Sequence, residues 1–184
     1  MKNRTDVRLR PVAGRDLEHL ERFDRDASLS EPYEWRGFGN TRAHPERWEK
    51  DGYLTGYGST EPNDESLLVV ELGGETFAGI VSFRSVDRTG ARSCLEIGIL
   101  LLPEHRAQGI GATAQRLLAD YLFTHTIANR LEALTEADNV AEQRALELAG
   151  FTREGVLRGR GFARGAWRDA VVYGRVRSDA APNN

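Results

Sequence analysis

Residues 96–113 read EIGILLLPEHRAQGIGAT: an apolar run, a proline, then Arg106-x-x-Gly109-x-Gly111 opening a segment with helical periodicity. A strand that feeds a glycine-rich turn into a helix is how a chain builds an anion site. N–H groups of a first helical turn have no intrahelical partner, and the helix dipole adds positive potential there. Gly109 and Gly111 lack Cβ atoms, so a pyrophosphate can approach the N–H groups of Gln108 through Ala112 closely, with Arg106 or Gln108 supplementing those contacts. The phosphate-loop reading fails for want of a Gly-Lys-Ser/Thr ending. The dinucleotide fingerprint fails because Arg106 stands where its first glycine belongs. A plain turn with a helix-packing glycine is the alternative.

Working outward, residues 7–12 alternate as a short strand, and residues 14–26 place Leu17, Leu20 and Phe23 at roughly helical intervals. Residues 67–72 and 77–86 predict two strands joined at Gly73-Gly74-Glu75, and 92–102 a third after the turn signal at 87–90, giving three consecutive antiparallel strands. After the glycine turn, Ile110, Ala114, Leu117, Leu118, Tyr121 and Leu122 form one helical stripe. A strand over 131–137 precedes a helix ending at Gly150, and the chain from 151 to 177 predicts two strands joined by a glycine-containing loop. The pattern is an α+β, or mixed α/β, sheet. Residues 28–65 are rich in Gly, Pro and acidic residues yet carry Tyr33, Trp35, Phe38, Trp48, Tyr53 and Tyr57. That aromatic content predicts a structured excursion with one or two short helices, placed as a substrate-side lid.

At 184 residues the chain suits one domain over 1–177, with the polar end 178–184 expected to fray. A net charge of -3 argues against nucleic acid as partner. The N-terminus lacks the apolar stretch of a secretory signal, and no run is long enough to cross a bilayer, so a cytoplasmic protein without a membrane partner is expected. One cysteine, Cys94, cannot make an internal disulfide, and no Cys/His cluster has metal-ligand spacing, so no metal is expected. His19, His44, His105 and His125 are scattered, and Cys94 lacks the paired histidine a nucleophile needs.

The run Glu96–Gly111 resembles the acetyl-CoA-binding motif of the GNAT N-acetyltransferase superfamily. Residues 139–151, NVAEQRALELAGF, are similar to the family's Asn-x-x-(Ser/Ala)…Gly-Phe segment. Glu154-Gly155-Val156-Leu157-Arg158 with Trp167-Arg168-Asp169…Tyr173 resembles the Rim-type subgroup, which includes acetyltransferases of ribosomal-protein N-termini and of small amines. The resemblance covers most of 7–177 and is weak over 28–65. It implies a central, mostly antiparallel splayed sheet flanked by helices. It implies acetyl-CoA as co-substrate, its pantetheine arm on the backbone of Ile99, Leu100 and Leu101. It implies Gln108, Gly109, Ile110, Gly111, Ala112 and Thr113 about the pyrophosphate, with Arg106 and Ala107 as further cofactor-binding candidates, and Asn139 against the pantetheine. For Asn139 an ordinary N-cap is the competing reading.

Acetyl transfer from a thioester needs a neutral amine, so a general base helps where the amine is protonated. Glu96 is the candidate base, and a strand's period of two leaves open whether it faces the reaction or solvent. Carbonyl polarisation falls to a backbone N–H near Leu101. The family's tyrosine, seven residues after the motif's asparagine, is Leu146 here, and Glu142 stands where a serine is common. Tyr173 as substitute acid competes with a packed strand residue. The expected function is acetylation of a primary amine, either a small molecule or a protein N-terminus, by direct attack in a ternary complex. A noncatalytic acyl-CoA-binding module is the alternative, and a longer acyl donor a third reading. Glu31, Glu34, Asp64 or Glu65 are candidates for attracting a cationic acceptor. A homodimer stays open, with the closing hairpin 155–177 as the segment in question.

Overall fold

The computed structural model describes residues 6–30, 32–33, 48–50, 53–54, 66–86 and 93–179. Strand β1 (Val7–Pro11) leads through a 3-10 turn into helix α1 (Leu17–Arg25) and the short α2 (Ala27–Ser30). Strands β2 (Trp48–Lys50) and β3 (Tyr53–Leu54) form a separate two-stranded sheet. Then come β4 (Ser66–Leu72), β5 (Thr76–Ser85), β6 (Cys94–Leu101), α3 (Ile110–His125), β7 (Arg130–Glu136), α4 (Val140–Leu148), β8 (Thr152–Ala163) and β9 (Ala166–Val176). The large sheet has seven strands in the order β1-β4-β5-β6-β7-β9-β8. All neighbours are antiparallel except β6 and β7. The expected α+β architecture with a mostly antiparallel sheet and flanking helices is therefore present.

Alternation along β6 sorts two cores. Leu95, Ile97, Ile99 and Leu101 join the cluster built on α3 and α4, whereas Leu100 and Leu102 join the one built on α1 and α2. In the first cluster Leu118, Leu122, Leu131 and Leu146 are at 0 % exposure, each burial contributing about 2 kcal/mol. Val69 and Ile80 anchor the second, beneath Leu20 and Phe23 of α1. The β4–β5 strands approach β6 closely: at Gly79 (φ +155) an added Cβ would lie 2.1 Å from the Leu100 carbonyl oxygen. The β4–β5 register shifts beside it, between Val70 and Glu71, as a bulge does when it bends a strand.

A buried ionic network ties α1 to the sheet. Arg10 donates two hydrogen bonds to Asp16 (2.6 and 2.8 Å) and one to Glu71 (2.5 Å), and the Ala13 N–H donates to Asp16 (2.8 Å). Asp16 is 2 % exposed. Burial alone would push its carboxyl up, but the Arg10 guanidinium, the Ala13 N–H and Arg15 override that and hold it below the ordinary carboxylate value. At the other end of the sheet Asp179 accepts a hydrogen bond from the Val176 N–H (2.8 Å), so the chain turns back at 178–179.

Among the described residues, no helix is long and apolar enough to cross a membrane. The expected lid falls mainly on residues outside those described, including Trp35, Phe38, Tyr57, Glu31, Glu34, Asp64 and Glu65, as does His44. Within it, α2 and the β2–β3 ribbon are seen.

Candidate active site

Strands β6 and β7 pair in parallel over three rungs only, Cys94–Arg130, Leu95–Leu131 and Glu96–Glu132. Beyond Glu96, β6 continues to Leu101 against β5 alone. In an antiparallel ladder alternate residues turn both N–H and C=O away from the partner strand. Along Ile97–Leu101 those groups face the gap that opens toward β7. A helix cannot close such a gap, because α3 and α4 pack against the sheet by side chains.

The gap is a cleft of about 430 Å³. Ile99, Leu100 and Leu101 form one wall, Ala133, Leu134 and Thr135 of β7 the other, and Asn139 and Ala145 belong to the α4 side. Its mouth is the turn into α3, where Arg106, Ala107, Gly109, Gly111 and Ala112 line it. Ala107 (φ +54) and Gly109 (φ +77) both have left-handed backbone. Positive φ at a non-glycine costs about 1 kcal/mol, and such alternation makes successive N–H groups converge on one point. The first bond within α3 runs from the Thr113 N–H to the Gly109 carbonyl (3.1 Å). The N–H groups of Ile110, Gly111 and Ala112 therefore precede the helical ladder and are available to an anion. An added Cβ at Gly111 would stand 3.7 Å from Leu101 and 3.8 Å from Ile99, ordinary contact with the protein, so larger side chains project into the cleft.

The polar side chains of the turn are turned inward. Arg106 Nε donates to the Leu101 carbonyl (3.0 Å), and its Nη2 donates to the Leu29 carbonyl of α2. Burial lowers the Arg106 guanidinium pKa, with Glu104 opposing that effect. Gln108 Nε2 donates to the Glu104 carbonyl (2.6 Å), and Thr113 Oγ1 to the Gly109 carbonyl (3.1 Å). Arg106 and Gln108 thus brace the turn with their side chains, and of the two only Arg106 lines the cleft. Ile110 is a core residue at 4 % exposure. Gln108, Ile110 and Thr113 do not line the cleft, whereas Asn139 both lines it and caps α4, its Oδ1 accepting from the Glu142 N–H (3.3 Å).

Glu96 stands at the last paired rung, one residue before the cleft lining begins at Ile97. Its Oε1 accepts from Arg84 Nε (2.9 Å) and Nη2 (2.5 Å). Across the rung, Glu132 Oε1 accepts from Arg130 Nε (2.7 Å), and Arg130 reaches on to Glu154 of β8 (2.5 and 2.8 Å). The Arg130–Glu154 bridge lies over Gly174 of β9, where an added Cβ would fall 2.3 Å from Glu154 Oε1. Arg130 holds Glu154 below the usual carboxylate range. Among the described residues of this ionic group, three carboxylates face two guanidinium groups, an excess of one negative charge beside the cleft.

Two sequence alternatives are settled by burial. Leu146 is at 0 % exposure in the α3–α4 core, so that position contributes packing and no proton. Tyr173 is likewise at 0 %, its O–H donating to Glu147 (3.4 Å), with burial and that carboxylate raising its pKa. It is a packed strand residue outside the cleft lining. His19 stacks on Phe77 (centroids 4.4 Å apart), and no group of three His, Cys, Asp or Glu among the described residues could hold a metal ion. The sequence reading placed Tyr33 in the expected lid, and Tyr33 does line the cleft, but it missed Pro32 and the β7 wall. Alternation in LEALTEA marked Leu134 and Thr135 as strand residues, but nothing local marked the separation from β6.

A sheet opened along one strand, with unpaired donors at its mouth, defines a protein that holds an extended ligand with an anionic head. Residues 6–152 match the acetyltransferase (GNAT) domain family, and the chain belongs to that family. It is 32 % identical over 136 residues to the probable N-acetyltransferase YjcK of Bacillus subtilis, covering 74 % of this chain and 68 % of that one. It is 27 % identical over 176 residues to spermidine N(1)-acetyltransferase of Escherichia coli K12, covering 93 % and 86 %. The fold superposes with a TM-score of 0.70 on the spermidine N-acetyltransferase from Vibrio cholerae solved with CoA and spermine, at 21 % identity over 95 % and 98 % of the two chains. The protein is an acetyl-CoA-dependent N-acetyltransferase, and membership favours the catalytic reading over a noncatalytic module.

Proposed function

We propose that the protein acetylates a cationic primary amine of the polyamine type. Acetyl-CoA would lie in the β6–β7 cleft, its diphosphate on the N–H groups between Gln108 and Ala112 and its pantetheine arm along Ile99–Leu101 and past Asn139. The observation that carries this reading is the position of the Glu96–Glu132 rung one residue before the cleft, with a net negative charge among its ionic partners. An ammonium group entering there is attracted, and Glu96 takes its proton so that the lone pair attacks the thioester carbonyl. A main-chain N–H of β6 holds the developing oxyanion, a role that costs no side chain. The thioester C–S bond then breaks, the nitrogen loses a second proton as the amide forms, and that proton goes to the departing thiolate, which leaves as the free thiol of CoA.

The likeness to spermidine N(1)-acetyltransferase over 93 % of this chain supports a polyamine. A peptide α-amino group, acetylated in the cytoplasm, is the second reading, favoured by the Rim-type likeness of Glu154–Arg158 and Trp167–Tyr173. A thiol-release assay with spermidine, spermine, simple monoamines and N-terminal peptides tests both. Turnover preferring polyamines is expected, and preference for peptides would replace the first reading by the second.

A further inference from the structure

The turn joining β8 to β9 contains Arg164 and Gly165, with Ala163 paired to Ala166 on either side. Both turn residues have positive φ, +50 and +74. Two-residue hairpin loops of this kind favour Asn-Gly or Gly-Gly, because a Cβ at positive φ is strained. An arginine in the first position is a poor choice for the turn itself, and strain of this sort is kept where surrounding contacts fix it.

Those contacts are specific. Arg164 donates to both carboxylate oxygens of Glu136 (2.5 and 3.2 Å) and to the Pro32 carbonyl (2.5 Å), and it lies 3.5 Å from an Asp138 carboxylate oxygen. Its guanidinium carbon sits 5.3 Å from the centroid of the Tyr33 ring, and the Tyr33 O–H donates to the Asp138 carbonyl (3.2 Å). Pro32 and Tyr33 line the cleft, as does Asn139, the residue after Asp138. Segments around positions 32, 138 and 164 thus converge on one rim of the cleft. A planar fork that is paired on its edge and stacked on its face fixes orientation in a way that a point charge does not.

We propose that Arg164 is a positioning residue for coenzyme binding: it clamps Pro32–Tyr33 onto Asp138–Asn139 and so completes one rim of the cleft. This rests on the reading of the cleft as the coenzyme site. The decisive variant is Arg164→Gly, which suits the turn better than the native residue and so keeps the hairpin folded while removing the fork. Calorimetry with CoA and steady-state kinetics should show Kd and the acetyl-CoA KM raised about tenfold, kcat changed less than about twofold and an unaltered melting temperature. Arg164→Lys should fall between Arg164→Gly and the native protein, and Tyr33→Phe should shift KM in the same direction by less. Unchanged Kd and KM in Arg164→Gly, or a fall in kcat without a rise in KM, would overturn the proposal. Gly111→Trp, measured beside it, separates the two readings. If that variant still binds CoA, the cleft assignment fails, and if only Arg164→Gly binds normally, the clamp alone fails.

Discussion

Glu96 of β6 faces Glu132 of β7 across the final parallel rung, and beyond that rung the strands part. Each carboxylate is bonded through one oxygen to an arginine, Arg84 or Arg130, which fixes its orientation beside the cleft. Replacing Glu96 by Gln removes the proton acceptor without changing shape. Turnover at pH 7 is expected to fall by about a hundredfold, with the deficit narrowing as pH approaches the amine's own pKa of about 10. A pH–rate profile checks this, and native rates at every pH would remove Glu96 from the mechanism.

Gly111 is the point at which the cleft is most easily filled. Its missing side chain leaves ordinary contact distances to Leu101 and Ile99. Gly111→Ala should fold normally, whereas Gly111→Trp should occupy the coenzyme's space and raise Kd for CoA at least about a hundredfold with the fold retained. Calorimetry paired with circular dichroism distinguishes lost binding from lost structure.

Tyr173 should prove kinetically silent. Tyr173→Phe removes a single hydrogen bond to Glu147 from a fully buried site, at a cost of about 1 kcal/mol. Denaturant unfolding should register that loss while kcat stays near the native value. A large fall in kcat with intact stability would reinstate the phenol as the acid.

The Arg10–Asp16–Glu71 network makes stability depend on acid pH. Asp16 is held below its unfolded value of about 4, so its contribution is complete above that value and disappears as pH falls through the lower folded one. Asp16→Asn leaves Arg10 partly uncompensated and should cost about 3 kcal/mol at pH 7. The gap between the variant and the native protein should shrink below pH 4 in urea titrations, and a constant gap would refute the linkage.

Much of this architecture is legible in the sequence because its signals are local. Alternation in VRLRPV, the Gly73-Gly74 turn and the stripe from Ile110 to Leu122 depend on neighbours a few residues away, and each strand and helix so marked is present. The α+β architecture follows from them, whereas the acetyl-CoA motif rests on the resemblance of Glu96–Gly111 to the family's segment. Illegible were the features decided between distant segments. Nothing near Arg106 shows that its guanidinium reaches Leu29, and nothing near Arg164 points to Pro32 or Glu136. The facing of Glu96 needed the register with β5 and β7, since a period of two permits either side. The β2–β3 ribbon escaped notice because aromatic residues in a Gly- and acid-rich stretch carry no clear period.

The unshared side of β6 has a consequence for the folded protein as a whole. Beyond Glu96 the strand has no β7 partner, and of the main-chain groups on that side the Leu101 carbonyl is taken by Arg106. On the placement proposed for acetyl-CoA, its pantetheine arm would act as a surrogate eighth strand, and the melting temperature of the enzyme should then become a titration curve of its own substrate.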